Sequence, residues 1–181
     1  CNTPSIPATD NSSYVDEGLW SVSDASVTIS DATAQNPVFT FPENNTQQAI
    51  VYTITLQVTS VDDCIDTTSR AVTIYPQPLV TFSGITDGCS PLDLQLLNGS
   101  NPKNGEDRST MTFAWSVNGV VESTTEDFSY QYTNGSQTDV PYSVTLVGET
   151  QHGCVEDSTL SLVVFPDPVA ELSVCLLYTS P

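Results

Sequence analysis

The sequence predicts an all-β chain of tandem antiparallel β-sandwiches, and three observations predict it. Residues 51–78 (VYTITLQVTSVDDCIDTTSRAVTIYPQP) and 141–168 (PYSVTLVGETQHGCVEDSTLSLVVFPDP) align without a gap, so Tyr52 and Tyr142, Cys64 and Cys154, and Pro76 and Pro166 each lie 90 positions apart. Within each copy apolar residues alternate with Thr and Ser at the two-residue period of a pleated strand. The chain is rich in Thr, Ser and Val, carries twelve Pro and nine Gly, and has no sustained helical periodicity. A 90-residue period is the size of one sandwich able to bury its own core.

Cys1 opens a segment that lacks the leading strand supplied by residues 79–83 in the later copy, so Cys1 and Cys89 read as equivalents. A mature lipoprotein also begins with Cys, but the repeat accounts for Cys1 without lipidation. Trp20-Ser21-Val22 and Trp115-Ser116-Val117 match, and an early-strand Trp with Val continuing its face belongs in the core rather than on a sugar-stacking surface. Residues 38–41 and 128–132 are expected strands, and Asn134-Gly135 an expected turn. Leu92, Leu94 and Leu96 alternate, as do Phe113, Trp115 and Val117, and the connector 98–110 holds two of the three basic residues.

In each repeated hairpin Tyr52, Ile54, Leu56 and Val58, or Tyr142, Val144 and Leu146, go out on one face. After a polar turn, at 62–68 in the first copy, residues 71–75 and 160–165 return, and a Pro-x-Pro at 76–78 or 166–168 withholds backbone donors and stops the strand. Ala170, Leu172 and Val174 then alternate as Val80 and Phe82 do. The expected organisation is a first repeat at 1–76 without its first strand, a second at 77–168, and the first strand of a third at 169–174. Residues 175–181, CLLYTSP, resemble the translation of a transposase-type sequencing adapter and are left out of the fold.

Three Lys and Arg against twenty-two Asp and Glu give a formal charge of −19, which disfavours nucleic acid and anionic membrane surfaces as partners. The acids are spread along the chain, as in a solvated exterior. The five cysteines fit neither CxxC pairs nor a zinc knuckle, and in a secreted β domain cystines are the default. Repeat symmetry favours Cys1–Cys64 and Cys89–Cys154. Sandwich topology argues against it, since the two positions lie at opposite ends of a unit, and stacked units would instead bring Cys154 toward Cys1. The symmetric pairing is the expectation taken forward.

A leading Cys, Gly18-x-Trp20-Ser21-Val22, a Tyr-led strand, a Cys-bearing turn and a Pro-x-Pro linker together resemble the PKD-like and Ig-like repeats of large Bacteroidetes surface proteins, over nearly all of residues 1–174. Trp115-Ser116-Val117-Asn118-Gly119 stands where the PKD pattern has Trp-x-Phe-Gly-Asp-Gly, so Ig-like is the better-fitting name. The resemblance implies a spacer or adhesive stalk, extracellular or on the cell surface, like gliding-motility-associated adhesins. Its partners would be neighbouring repeats of the same chain and surface glycans or proteins. Asp66-Thr67-Thr68 and Asp157-Ser158-Thr159 match the short Bacteroidetes O-glycosylation signal, which makes Thr67 and Ser158 candidates, against ordinary turn chemistry.

Catalysis finds little footing. His152 is the single imidazole and lies in a polar turn, no nucleophile elbow is visible, and no glycine-rich loop joins a strand to a helix. No cofactor is expected. Asp62, Asp63 and Asp66 could offer oxygen ligands to calcium, though not in an EF-hand pattern. The expected function is a non-catalytic structural or adhesive module. The alternative is a carbohydrate-binding module attached to a secreted polysaccharide-degrading enzyme, which requires exposed aromatics such as Tyr130 and Tyr132.

Overall fold

The computed structural model describes residues 1 and 4–174. The described part is all-β. Its strands are β1 (Ser5–Pro7), β2 (Glu17–Val22), β3 (Thr28–Ile29), β4 (Val38–Thr40), β5 (Ile50–Thr59), β6 (Ile65–Ile74), β7 (Phe82–Ser83), β8 (Gly88–Cys89), β9 (Leu92–Asn98), β10 (Thr112–Val117), β11 (Val120–Ser123), β12 (Phe128–Tyr132), β13 (Val140–Glu149) and β14 (Val155–Phe165). A single 3-10 turn, Arg108–Thr110, is capped by the Asp107 carboxylate, which accepts from Ser109 N.

Alternation decides the layers. In β5 the side chains of Tyr52, Ile54 and Leu56 turn inward, where they meet Trp20 of β2 and Phe39 of β4. Sheet β2-β5-β6 thus packs on sheet β1-β4-β3 around a cluster that also takes in Phe41 and Ile74. A second cluster, from Val80 to Val164, fills the space between β11-β10-β13-β14-β8 and β12-β9-β7, with Trp115, Leu96, Tyr132 and Leu146 fully enclosed. Each Trp donates its indole N–H to a carbonyl of the same half: Trp20 to Ala34 O (3.0 Å) and Trp115 to Thr125 O (3.1 Å). Both tryptophans are therefore core residues.

The central hairpins keep one register. Ile50 pairs with Ile74 and Thr59 with Ile65, while Val140 pairs with Val164 and Glu149 with Val155, every position 90 residues on. The return strands begin at Ile65 and Val155, earlier than the sequence pattern suggested. Residues 65–71 of β6 are exposed on both faces, so no apolar alternation marks them. Backbone pairing to β5 holds them as a strand, helped by a Thr55–Ser69 hydroxyl contact at 2.9 Å that Thr145–Thr159 repeats at 2.8 Å.

The two halves differ at three edges: β3 pairs with β4 whereas β11 pairs with β10, and the second half adds β7 and β8. β9 is flanked on both sides, by β12 and by β7, and β8 adds a short parallel strand beside β14. In the first half β1 is an edge strand with β4 as its single partner.

The cystine also departs from expectation. Cys154 is bonded to Cys1, with Cα atoms 5.2 Å apart, and Cys64 and Cys89 are exposed free thiols. Repeat symmetry favoured Cys1–Cys64 and Cys89–Cys154. The hairpin turn and the leading Cys of one half lie at opposite ends of that half, so the turn of the second reaches the start of the first. The expected adapter-like stretch, 175–181, lies outside the described residues.

Candidate functional site

A network of polar and aromatic contacts sits where the two halves meet. The chain crosses between them at residues 76–78, and Pro76, Gln77 and Pro78 are all buried. Gln77 N donates to Asn44 O (2.9 Å) in the first half, and its side-chain Nε2 donates to Glu156 Oε2 (3.0 Å) in the second. The Pro-x-Pro linker is thus anchored at both sides.

Three neighbouring residues of the 98–110 connector build the next contact. Asn101 Oδ1 accepts from Lys103 N (2.7 Å), and Lys103, Asn104 and Gly105 follow with φ of 63°, 55° and 71°. Asn and Gly tolerate this left-handed backbone, which turns the loop back toward the first half. There Asn104 N donates to Gln47 O and Asn104 Oδ1 accepts from Ala49 N, both at 2.9 Å. Its Nδ2 donates to Glu106 Oε1 (3.2 Å).

His152 completes the joint. Its ring stacks on Tyr75 with centroids 3.4 Å apart and planes 8° from parallel, and its Nε2 lies 2.9 Å from Glu106 Oε1. Burial alone would push the Glu106 carboxyl up. Hydrogen bonds from Asn104, Gln151 and His152, with the His152 charge, outweigh it and hold the group below its ordinary value. Two residues past His152, the Cys154–Cys1 bond ties the second half's hairpin turn to the first half, and the Cys1 amino group donates to Tyr75 O. Tyr75, Pro76, Pro102, Asn104, Glu106, Thr150 and His152 close around a space too small for a water molecule. The arrangement holds two bodies in one orientation and leaves no room for a substrate.

The candidate residues named from sequence do not converge here, apart from Cys1 and Cys154. Asp62 and Asp63 are exposed in the turn after β5, with Asp63 at φ 59°, while Asp66 lies in β6 rather than in the turn. Among the described residues no group of three His, Cys, Asp or Glu is placed to hold a metal ion. Thr67 is exposed on β6 and Ser158 half-buried on β14, both in strands rather than turns. Tyr132 is fully buried, and Tyr130 packs on it at 4.8 Å, so the pair is not the exposed platform a sugar would need. Burial, then the neighbouring Tyr130 and Tyr142, pushes the Tyr132 phenol up to about 12.

Sequence reasoning missed two sets of residues. Asn44 and Asn134, 90 positions apart, are both buried and make the same pair of bonds. Asn44 Nδ2 donates to Gln48 O (2.9 Å) and Ile74 O (2.8 Å), and Asn134 Nδ2 to Thr138 O and Val164 O (both 2.8 Å). Their signal was present as Asn44-Asn45-Thr46 against Asn134-Gly135-Ser136, of which Asn134-Gly135 alone was read, as a turn. The junction set is Tyr75, Asn104, Glu106 and His152; the ungapped alignment puts Phe165 opposite Tyr75 and Asp62 opposite His152, and of the set only His152 drew notice, as the single imidazole.

No family model matches the chain, and no curated protein matches it in sequence. Among solved structures it is similar to the fibronectin(III)-like modules of Clostridium thermocellum CbhA, at 11% identity and TM-score 0.42 over 91% of this chain and 86% of that one. It is similar to the D00-D0 domain of Intimin, at 14% identity and TM-score 0.38 over 92% and 94% of the two chains. A third likeness is to the N-terminal Ig1-2 module of Drosophila receptor protein tyrosine phosphatase DLAR, at 13% identity and TM-score 0.34 over 92% and 91%. Among the described residues no helix is long and apolar enough to cross a membrane.

Proposed function

We propose that this chain is a non-catalytic structural module, two β-sandwich units at 1–76 and 77–168 that act as a spacer or stalk within a larger extracellular or cell-surface protein. The observation that carries the reading is the joint. A buried linker, a stacked Tyr75–His152 pair and the Cys1–Cys154 bond fix one unit on the next, which suits an element that transmits position rather than one that opens around a ligand. A cystine fits an oxidising compartment outside the cell. The sequence resemblance to repeats of Bacteroidetes surface proteins supports the same setting, and the charge of −19 argues against nucleic acid and anionic lipid.

The test is a glycan-array screen of the full chain with calcium and again with chelator. Silence in both conditions is the expected outcome. Specific binding abolished by Tyr130→Ala would replace the spacer reading with a carbohydrate-binding module, and loss of that binding in chelator would add a metal.

A further inference from the structure

The Cys1–Cys154 bond gives the covalent chain a short cut. It joins the start of the first half to the hairpin turn of the second across a sequence separation of 153, with the two Cα atoms 5.2 Å apart. The chain between the two cysteines is therefore a closed loop, and it holds nearly everything that is folded. All buried residues of the first hydrophobic cluster lie in it, and all of the second except Leu162 and Val164, which β14 contributes. The Pro-x-Pro linker at 76–78 lies in it as well.

Beyond Cys154 there is one strand. β14 has 11 residues and pairs with β13 from Val155↔Glu149 to Val164↔Val140. Its far end is fixed too: Val163 N donates to Asp87 Oδ1 (2.7 Å), and Ser90 N donates to Phe165 O (3.0 Å). A β-strand rises about 3.4 Å per residue and a fully extended chain reaches at most about 3.6 Å, so drawing β14 taut adds only about 2 Å in all. The strand has almost no length to give.

We infer that the chain is an inextensible tether: tension applied before Cys1 and after Phe165 runs through the Cys1–Cys154 bond and along β14, and bypasses the whole chain between the two cysteines. Both sandwiches are passengers on this path. Neither is anchored at a second loaded point, so no net force crosses the β5–β6 ladder, the core contacts or the joint, and neither core has to resist unfolding. The bond and β14 set the course of the path, whatever length of chain lies on either side of them. The inference deepens the spacer reading and rests on it for its use, since a stalk transmits pull as well as position.

The bond is also placed to survive a reducing thiol. Cys154 is fully enclosed and Cys1 half-buried. A solvent thiolate meets the Cys1 sulfur first and has to expel Cys154 as a thiolate inside the joint, where burial disfavours the charge. The closed joint thus guards the bond that unloads it.

The test is single-molecule stretching of the full chain, gripped by peptide tags fused before Cys1 and after Pro181, with free thiols alkylated and the linked cysteines mapped beforehand. The oxidised chain should straighten without an unfolding step. Dithiothreitol reduces the bond to two thiols and is itself oxidised to its cyclic disulfide. After that treatment two steps should appear, one per half, which together release about 500 Å, the extended length of about 150 residues at about 3.3–3.6 Å each. Cys154→Ala should show the same two steps without reductant. Steps of that size in an oxidised chain that carries the Cys1–Cys154 peptide, the absence of that peptide, or a reduced chain that gains no length over the oxidised one would each overturn the assignment. A chain that binds glycans in the array screen yet stays inextensible would lose the spacer reading and keep the tension path.

Discussion

Two buried asparagines show how a single side chain closes a strand-to-strand connection. Asn134 supplies both of its amide hydrogens to carbonyls of different segments, Thr138 O and Val164 O, in a place water does not reach. Asn134→Ala should cost about 2–4 kcal/mol, since two acceptors lose their donors in the interior. Urea unfolding measures it, and a cost within a few tenths of a kcal/mol would contradict the role. Tyr132 gives the opposite case. Its hydroxyl is buried without a hydrogen-bond partner among the described residues, so Tyr132→Phe should leave stability unchanged or raised in the same assay. In the parent chain, spectrophotometric titration should find one phenol ionising near 12, well above an ordinary tyrosine.

At the scale of elements, β6 and β14 separate what a ladder holds from what a core holds. The side chains of residues 65–71 are exposed, yet the register from Ile50↔Ile74 to Thr59↔Ile65 is unbroken. Hydrogen exchange should therefore find every second amide of residues 65–71 protected, whereas a turn reaching to residue 68 would leave these amides to exchange freely. The same contrast explains what the sequence made legible. β5, β9, β10, β12 and β13 bury one face, so Tyr52, Leu96, Trp115, Tyr132 and Leu146 announced them through period-two alternation. The front halves of β6 and β14 bury little and announced nothing. The junction was equally silent, because Glu106, His152 and Tyr75 come from distant points in the chain and no local spacing relates them.

For the whole molecule, one charged group braces Asn104 and His152, two second-half side chains that reach the first half. Glu106 has its folded-state pKa depressed, so its contribution is fully present above the ordinary value of 4.5 and is lost as pH falls through the lower folded value. Glu106→Gln should be less stable than the parent at neutral pH, and the two should converge in acid. Thermal unfolding from pH 7 down to about pH 3 tests the sign, and a gap that widens on acidification would refute it. The Cys1–Cys154 bond acts on a larger scale, closing a loop with a sequence separation of 153. Chain-entropy reasoning puts its contribution at about 4–5 kcal/mol.

The most direct measurement is peptide mapping of the unreduced monomer after alkylation. The structure predicts one peptide joining Cys1 to Cys154, with Cys64 and Cys89 alkylated. A Cys1–Cys64 or Cys89–Cys154 peptide would mean that each half is stapled only to itself and that the clamped joint does not form.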